Sequence, residues 1–437
     1  MSKRPNYRPS RRRVLQIAGL SALLAGCGTG PARQSTREIE FWHLLTGGDG
    51  DRMNEIVTKA DADIPQAHIK QVILAWGAPY YTKLAMSAAG GRSPDLGIAH
   101  MSRLAGYAPG GLLDPWDLNR LAKYGISESS FTAPAWKSSI VNGKVYALAF
   151  DSHTFVNFYN TDLANKAGLL QSNGKLPEVK SLEELKNLGR EFKKVTGNKY
   201  GLGFGFLGDG AQLWRLFWTF YSQHGATFDL LGDKFVYDAD AFAASIDAMR
   251  GLVDGEVASN STDYATATSA FLAGDTGLVF SGVWELPQYQ DKKMPLGAMP
   301  VPNLFGTGID ANWGDSHTFV LPHQANPDEE VRELVYEMVS KMLKGSLSWG
   351  RAGHTPAYQP VVNSPEFKQL RPNSDYSETA TYINYDPPSS FTGSGSSFMN
   401  QFGGVFQNVL TGRTPVKDAV AQWEERVNVF MSKAVKR

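Results

Sequence analysis

The sequence predicts an α/β protein with two domains, and two observations support this. At 437 residues the chain is too long for one compact core. Short apolar runs typical of strands alternate with longer stretches typical of helices, an order that builds a parallel sheet flanked by helices. Aromatic residues make up 11% of the chain, so rings are available for a binding surface as well as for cores.

The first 26 residues are typical of an export signal. They contain six basic and no acidic residues, and the apolar stretch at 14–26 is shorter than the ~20 residues of a membrane-spanning helix. The motif "SRRRVL" resembles a twin-arginine signal, although Val14 stands where that signal usually has Phe. The motif "LAGC" resembles a lipobox, so we expect Cys27 to be lipidated and residues 27–37 to be a membrane tether.

The charge and the cysteine count exclude several functions. Removal of the signal leaves 37 basic residues against 43 acidic ones, a net charge near −6, which argues against a nucleic-acid surface. Cys27 is the only cysteine, so no thiol remains for a disulfide or for catalysis. The eight histidines show no metal-ligand spacing, and we expect neither a metal nor a cofactor.

In the N-terminal third, three apolar runs predict strands, each followed by a helical stretch. These strands are expected at 38–44, 68–74 and 94–100. Two further strand-like runs, at 144–150 and 154–160, flank residues 151–153. The glycines after the first strand favour an open loop beside Trp42 and His43.

Most of the rest of the chain predicts helices. Ser181 and Glu184 form a capping-box pattern, while Asn326 and Thr414 are the expected caps of two later helices. A buried strand is expected at 276–282, and 389–397 predicts a flexible surface loop or a loop that faces a ligand. The helices are expected at 181–195, 210–225, 239–255, 327–345 and from 414 onward.

Eight segments follow one another in a fixed order: "LAGC", "EIEFWH", "PDLGIAHMSRLAGYAPGGLLDPWDL", "YALAFDSHTFVNFYNTDL", "FLAGDTGLVFSGVWELPQ", "LGAMPVPN", "SHTFVLP" and "WGRAGHTPAY". Together they resemble the carbohydrate-binding lipoproteins of ABC importers, which are extracellular solute-binding proteins. The resemblance implies a two-lobed periplasmic-binding-protein-like fold of type II. In such a fold each lobe is a mixed sheet flanked by helices, and a cleft lies between the lobes.

The resemblance also places the lobes along this sequence. The N-terminal lobe is expected at 38–150 and 318–350, and the C-terminal lobe at 154–313 and 357–437. The chain is expected to cross between them near 150–154, 314–319 and 349–356. The implied protein is a monomer at the outer face of the bacterial cell membrane. It captures a di- or oligosaccharide and delivers it to an ABC permease without catalysis.

A sugar-binding site requires flat aromatic faces for the C–H groups and fixed polar groups for the hydroxyls. Ligands of open α/β sheets bind beyond the carboxyl ends of strands. Strand ends, crossings and one aromatic helix therefore supply the candidates, and Trp284 also matches a position that is often aromatic in the family. For each candidate, core packing or hinge hydrogen bonding is the alternative. The candidates are Trp42, His43, Trp76, Asp151, His153, Trp214, Trp284, Trp313, Asp315, Arg351 and His354.

Two other functions stay open. A lipoprotein that binds a glycerophosphodiester or a sugar phosphate requires Arg351, Arg215 and Lys83 to converge on one phosphate. A secreted glycoside hydrolase requires two carboxylates beside the scissile bond, and Asp151, Asp315 and Glu285 are the candidates.

Overall fold

The computed structural model describes residues 36–434. The predicted signal and Cys27 lie outside the described residues. The strands are β1 (Arg37–His43), β2 (Ala67–Ile73), β3 (Leu96–His100), β4 (Leu113–Asp114), β5 (Ile140–Val141), β6 (Lys144–Val145), β7 (Ala147–Ala149), β8 (Asp151–Asn160), β9 (Leu202–Phe204), β10 (Leu278–Gly282), β11 (Leu296–Pro300), β12 (Asn312–Asp315), β13 (His317–Pro322), β14 (Thr355–Pro356) and β15 (Ile383–Asn384).

The helices alternate with these strands. They are α1 (Gly47–Ala62), α2 (Ala78–Ala89), α3 (Leu104–Tyr107), α4 (Leu118–Lys123), α5 (Ala133–Ser138), α6 (Thr161–Lys166), α7 (Leu182–Thr196), α8 (Gly210–Ser222), α9 (Ala239–Leu252), α10 (Tyr264–Leu272), α11 (Leu286–Asp291), α12 (Glu329–Lys344), α13 (Leu347–Gly350), α14 (Gln359–Val362), α15 (Pro365–Lys368), α16 (Asn373–Tyr376), α17 (Ser397–Leu410) and α18 (Val416–Lys433). Within residues 36–434, every helix is too short or too polar to span a bilayer.

Apart from the two-stranded β5–β6 sheet, the strands form two mixed sheets, one in each lobe. The N-terminal sheet has the order β2-β1-β3-β13-β4, with β7 paired to β13. In it β1 runs parallel to β2 and β3, whereas β13 runs antiparallel to β3. The C-terminal sheet has the order β15-β12-β8-β10-β9, and β11 and β14 also pair with β8. This arrangement confirms the predicted α/β fold class.

Each sheet has its own hydrophobic core. The N-terminal core joins residues of 39–150 with residues of 319–358. The larger C-terminal core joins residues of 155–313 with residues of the last two helices, α17 and α18. Burial of this much apolar surface is the main stabilising contribution in each lobe.

The chain passes between the lobes at three places. It leaves the N-terminal sheet after β7 and enters the C-terminal sheet at β8, through Phe150 alone. It returns between β12 and β13, through Ser316 alone. It crosses again after α13, which contacts α1, and reaches β14, which pairs with β8. These short connections place β8 and β13 side by side beneath the space between the lobes.

The segment 389–397 is not a flexible surface loop, and it does not line the cleft. Most of it is buried, because it reaches from the C-terminal lobe onto the N-terminal lobe. The main-chain N–H of Ser394 donates to Ser102 Oγ at 3.0 Å, and Arg103 Nη1 donates to the carbonyl oxygen of Thr392 at 3.3 Å. Its glycines permit this close approach, since a Cβ on Gly393 would lie 2.7 Å from a main-chain oxygen of Ser102.

Candidate functional site

A cleft of about 620 Å³ lies between the lobes, above the crossing strands. Its walls come from different lobes, and its floor comes from residues of β3, β8 and β13. The lining residues are Leu44, Leu45, Thr46, Gly47, Gly48, Asp49, Trp76, His100, His153, Asp209, Ala211, Gln212, Arg215, Tyr264, Trp284, Glu285, Pro287, Gln288 and His317.

The N-terminal wall is formed by residues that follow two strand ends. The turn at 44–49 joins β1 to α1, and Gly47 has a φ of +58°, a left-handed conformation that favours glycine. Gly48 lies against the opposite lobe, because a Cβ at this position would stand 2.8 Å from the Cβ of Pro287. Trp76 follows β2 and is 41% exposed, so its ring is available to a ligand.

The first turns of α8 form part of the C-terminal wall. Asp209 caps this helix, since its carboxylate accepts the main-chain N–H groups of Ala211 and Gln212 at 2.9 and 3.2 Å. Gln212 and Arg215 lie almost one turn apart and face the cleft. Gln212 is only 1% exposed, yet neither atom of its amide group has a hydrogen-bond partner in the described part of the chain.

The rest of this wall is a hydrogen-bonded set beyond the end of β10. Trp284 Nε1 donates to the Tyr264 hydroxyl at 3.0 Å, and that hydroxyl donates to Glu285 Oε1. Glu285 Oε2 is buried and has no partner among residues 36–434. Burial raises the pKa of Glu285 to about 7, so this carboxyl group titrates near neutral pH.

Arg215 is held between two indole rings. Its guanidinium carbon lies 4.4 Å from the ring centroid of Trp284 and 4.9 Å from that of Trp313. Cation–π contacts of this kind stabilise the charge where water is scarce. Burial lowers the pKa of Arg215, and its Nε has no hydrogen-bond partner among the described residues. The guanidinium group is therefore positioned but unpaired beside the cleft.

The floor rests on the buried carboxylate of Asp151, the first residue of β8. This carboxylate lies 3.0 Å from His153 Nδ1 and 2.7 Å from His317 Nδ1. It also accepts Trp349 Nε1–H at 2.6 Å and the main-chain N–H of His317 at 2.9 Å. Burial favours the neutral acid, but the surrounding histidines hold the pKa of Asp151 well below its usual range.

His100, His153 and His317 line the floor, and burial governs the charge of the first two. It lowers the pKa of His153 to about 3 and the pKa of His100 well below its ordinary value, so both rings are neutral at pH 7. The rings of His153 and His317 are 4.4 Å apart between centroids, and His100 lies 4.8 Å from His317. Neutral imidazoles supply both donors and acceptors to a bound ligand.

His354 lies deeper and joins the floor to the N-terminal wall. Its Nε2 is 3.0 Å from Asp49 Oδ1, and its Nδ1 is 3.1 Å from Asp151 Oδ2. Burial acts to lower the pKa of His354, but the two carboxylates raise it to about 10. His354 does not line the cleft.

Of the candidates from sequence, Trp76, His153 and Trp284 line the cleft. Four others are buried behind its walls and floor: Asp151, Trp313, Asp315 and His354. Trp313 packs against Arg215, while Asp315 accepts the Ser102 main-chain N–H at 3.1 Å across the lobes. Asp151, Trp313 and His354 contact cleft-lining residues from behind, whereas Asp315 links the lobes away from the cleft.

Trp42 and His43 do not line the cleft, contrary to expectation. The Trp42 ring is 8% exposed in the N-terminal core, and its Nε1 donates to Glu40 at 3.1 Å. His43 is fully buried and lies 3.1 Å from Gln71. Both are strand residues with core surroundings, and the cleft is reached only by the residues after them, from Leu44 onward.

Trp214 and Arg351 also lie outside the cleft. Trp214 is fully buried in the C-terminal core, where it stacks on Trp218 and donates Nε1–H to Asp386 at 2.7 Å. Arg351 is exposed and lines a separate groove beside α1 and α12, together with Lys59. The spacing within α8 places Trp214 toward the core and the next residue, Arg215, toward the cleft.

Several lining residues were not predicted, and most of them are polar. Asp209 stands directly before an aromatic helix, which is an N-cap signal that could have placed it at the cleft. The others carry no distinctive pattern, because they come together only through the packing of separate segments. They are Asp49, His100, Gln212, Tyr264 and Gln288.

The family model described as "Bacterial extracellular solute-binding protein" matches residues 53–370. This stretch includes the C-terminal wall, the floor and all three crossings. The chain belongs to this family. The family assignment confirms the resemblance found in the sequence.

Curated relatives match most of this solute-binding protein. The arabinooligosaccharide-binding protein of Bacillus subtilis (strain 168) is 22% identical over an alignment of 377 residues that covers 83% of this chain and 84% of the relative. A maltooligosaccharide ABC transporter solute-binding lipoprotein of Streptococcus pneumoniae (TIGR4) is 24% identical over 356 residues, covering 75% of this chain and 76% of the relative.

Solved structures share the fold of this solute-binding protein. The GacH receptor of Streptomyces glaucescens, studied unliganded and with acarbose, aligns with a TM-score of 0.73 and 19% identity over 91% of this chain and 99% of the receptor. The substrate-binding protein Lmo0181 of Listeria monocytogenes, in complex with cycloalternan, aligns with a TM-score of 0.73 and 17% identity over 91% and 100%. At these identities the likeness establishes the two-lobed fold.

Proposed function

We propose that this solute-binding protein captures a di- or oligosaccharide in the interlobe cleft and delivers it unchanged to an ABC import permease. The main support for this proposal comes from the C-terminal wall of the cleft. There the Trp284 ring stands beside polar groups that have no protein partner among residues 36–434, namely the Gln212 amide, Arg215 Nε and Glu285 Oε2. Buried polar groups without partners are costly, and a bound ligand can supply those partners.

The chemistry of these groups matches that of a sugar. A sugar hydroxyl both donates and accepts hydrogen bonds. It can pair with the Gln212 amide in either direction, accept a hydrogen bond from Arg215 and donate one to the ionised Glu285. The C–H face of a pyranose can pack on the indoles of Trp76 and Trp284. By analogy with ring pairs, such stacking contributes on the order of 0.5–1.5 kcal/mol beyond area burial.

Closure of the lobes supplies the mechanism. A ligand that contacts both walls stabilises the closed form, because only that form offers all of its partners at once. The meeting of Gly48 with Pro287 marks where the walls come together. Release at the permease needs only reopening, so no covalent step is required.

The relatives support this ligand class and the cellular setting. The two curated relatives described above are named for oligosaccharides, and one of them is named a lipoprotein. We extend both properties to this chain as part of the proposal. The protein is then an exported monomer, anchored through Cys27 to the outer face of the cell membrane.

The placement of charged residues disfavours the two alternatives. A phosphate site requires three cations to converge, yet of these only Arg215 lines the cleft; Lys83 lies 4.8 Å from the Trp42 ring centroid and Arg351 lines the separate groove. Of the three carboxylates considered for a hydrolase, only Glu285 lines the cleft. Asp49 and Asp209 also line it, but Asp49 is paired with His354 and Asp209 caps α8. The relatives are binding proteins as well.

A thermal-shift screen tests the ligand class. The purified protein is melted alone and with mono-, di- and oligosaccharides, glycerophosphodiesters and sugar phosphates. A cleft ligand present at 100 times its Kd stabilises the folded state by about 2.7 kcal/mol, which raises Tm. We expect the rise with a di- or oligosaccharide. A rise only with phosphorylated compounds contradicts the proposal, as does the appearance of new reducing ends at enzymatic rates.

A further inference from the structure

Four buried side chains that can bind a metal meet beneath the cleft floor. Asp151 and His153 belong to β8, His317 begins β13, and His354 directly precedes β14. One ligand atom from each lies within 4.8 Å of the others, and all four residues are buried. The residues belong to the three segments that cross between the lobes, so spacing along the sequence does not reveal the cluster.

Three contacts in the cluster are near the ligand spacing of a tetrahedral site. The Nδ1 atoms of His153, His317 and His354 lie 3.0, 2.7 and 3.1 Å from oxygens of the Asp151 carboxylate. A tetrahedral zinc ion with bonds of about 2.0–2.1 Å sets neighbouring ligand atoms about 3.3 Å apart. An ion at the centre therefore requires small increases in the three histidine–Asp151 distances, within a cluster whose ligand atoms all lie within 4.8 Å of one another.

His354 turns one ring nitrogen, Nδ1, into this cluster. The residue is fully buried, and its Nδ1 forms no hydrogen bond despite lying 3.1 Å from Asp151 Oδ2. The other nitrogen, Nε2, lies 3.0 Å from a carboxylate oxygen of Asp49. With Nε2 held by a carboxylate, Nδ1 is placed to bind a metal ion, which would displace the ring proton that the two carboxylates otherwise hold there.

The surroundings of the cluster also suit a dication. Asp151 and Asp49 contribute two formal negative charges, and neither has a Lys or Arg within 4.0 Å in the part of the chain described. Trp349 Nε1 and the main-chain N–H of His317 fix the orientation of the Asp151 carboxylate. Oriented ligands and compensating charge are what a buried metal site requires.

We propose that the Nδ1 atoms of His153, His317 and His354 and one oxygen of Asp151 form a structural site for a divalent transition-metal ion. Three imidazoles and a carboxylate in a tetrahedral arrangement suit Zn²⁺ best. All four positions are taken by protein, so the ion performs no chemistry on a ligand. It ties the three crossing segments together and fixes the hinge.

The ion also sets the hydrogen-bonding character of the cleft floor. A neutral imidazole that binds metal through Nδ1 keeps its proton on Nε2. His153 and His317 then present N–H donors on the ring edge turned away from Asp151. Without metal, the neutral His153 ring can donate Nδ1–H to Asp151, and its outer edge then presents an acceptor. Metal occupancy therefore changes which ligand groups the floor can pair with.

Metal analysis tests the site on the purified protein. The protein is stripped with dipicolinate, incubated with Zn²⁺, passed through gel filtration and analysed for bound metal and Tm. We expect one Zn²⁺ per chain and a higher Tm than for the stripped protein. Substitution with Co²⁺ is expected to give the strong visible absorption of tetrahedral cobalt.

Two histidine variants provide the comparison. His354→Gln should lose the bound Zn²⁺, whereas His68→Gln, at a side chain that is 63% exposed, should keep it. Wild-type protein without stoichiometric Zn²⁺ overturns the proposal, as does a folded His354→Gln variant that keeps the ion. If His354→Gln does not fold, the wild-type protein alone tests the proposal. In that case the absence of a visible cobalt band, together with an unchanged Tm after stripping, overturns the proposal.

Discussion

Trp284 and Trp214 show that the same residue type can line a cleft or pack in a core, depending on the element in which it lies. Trp284 lies in a turn at the end of β10, lines the cleft and packs against Arg215. Trp214 lies in mid-helix, is fully buried and donates to Asp386. Residue type predicted an aromatic contribution to the site, but only the fold decides which ring a ligand can reach.

This difference predicts opposite phenotypes for two alanine variants. Trp284→Ala should weaken oligosaccharide binding at least tenfold, about 1.4 kcal/mol, with a small change in Tm. Trp214→Ala should instead lower the free energy of unfolding by about 3–5 kcal/mol, because it leaves a large cavity. Isothermal titration and denaturant unfolding measure the two effects. Normal sugar binding by Trp284→Ala, combined with severe destabilisation, would place that ring in the core.

The Glu285 carboxyl group predicts a pH dependence of stability. Its pKa rises from 4.5 to about 7 on folding, so the folded state holds the proton more tightly than the unfolded chain. The resulting stabilisation is complete below pH 4.5 and is lost as the pH rises toward 7. Compared with Glu285→Gln, the wild type should therefore lose free energy of unfolding between pH 5 and pH 8. Urea unfolding at both pH values measures this, and an equal difference at the two would contradict the assignment.

At the scale of elements, the sequence predicted strands and long helices well but predicted several ends poorly. Strands expected at 38–44 and 68–74 lie one residue earlier. The cap expected at Asn326 is Asp328, whose carboxylate accepts two main-chain N–H groups, and the helix expected to be capped by Thr414 begins at Val416 after Pro415. Apolar periodicity fixes an element, whereas competition between adjacent polar residues fixes its first turn.

The site was harder to predict than the elements. Trp76 and Trp284 follow strands and His153 lies at the first crossing, so sequence reasoning could place these three at the cleft. Gln212 could not, because a polar residue in an amphipathic helix usually faces solvent, and Arg215 was considered only for a phosphate site. Their role at the cleft depends on the packing of α8 against the other elements of the C-terminal lobe, which no local pattern encodes.

The start of α1 predicts a variant that impairs closure without unfolding a lobe. Gly48→Ala places a methyl group 2.8 Å from the Pro287 Cβ, and this overlap is relieved when the lobes separate. We expect roughly tenfold weaker sugar binding, about 1.4 kcal/mol, with unchanged or higher Tm, since alanine favours a helix over glycine. Gly404→Ala, where a Cβ meets nothing within 4 Å, is the matched control. Equal affinities for both variants would show that Gly48 does not limit closure.

At the scale of the whole molecule, two cores joined by three short crossings make a hinge whose buried polar groups lie directly beneath the cleft. The proposed sugar contacts both walls and the floor histidines. Because it is held by both lobes, it favours their closed state. Tight holding would slow release to the permease. An affinity near ~1 μM, about −8 kcal/mol, is therefore the working range that we expect.

A crystal structure of the complex with the tightest-binding oligosaccharide tests this account most directly. The account predicts a sugar ring stacked on Trp284, hydroxyl groups bonded to Gln212, Arg215 or Glu285, and contacts from the same ligand to the N-terminal wall at Trp76 or 44–49. A sugar bound outside the cleft, or one that touches a single lobe and leaves these polar groups unpaired, would contradict it.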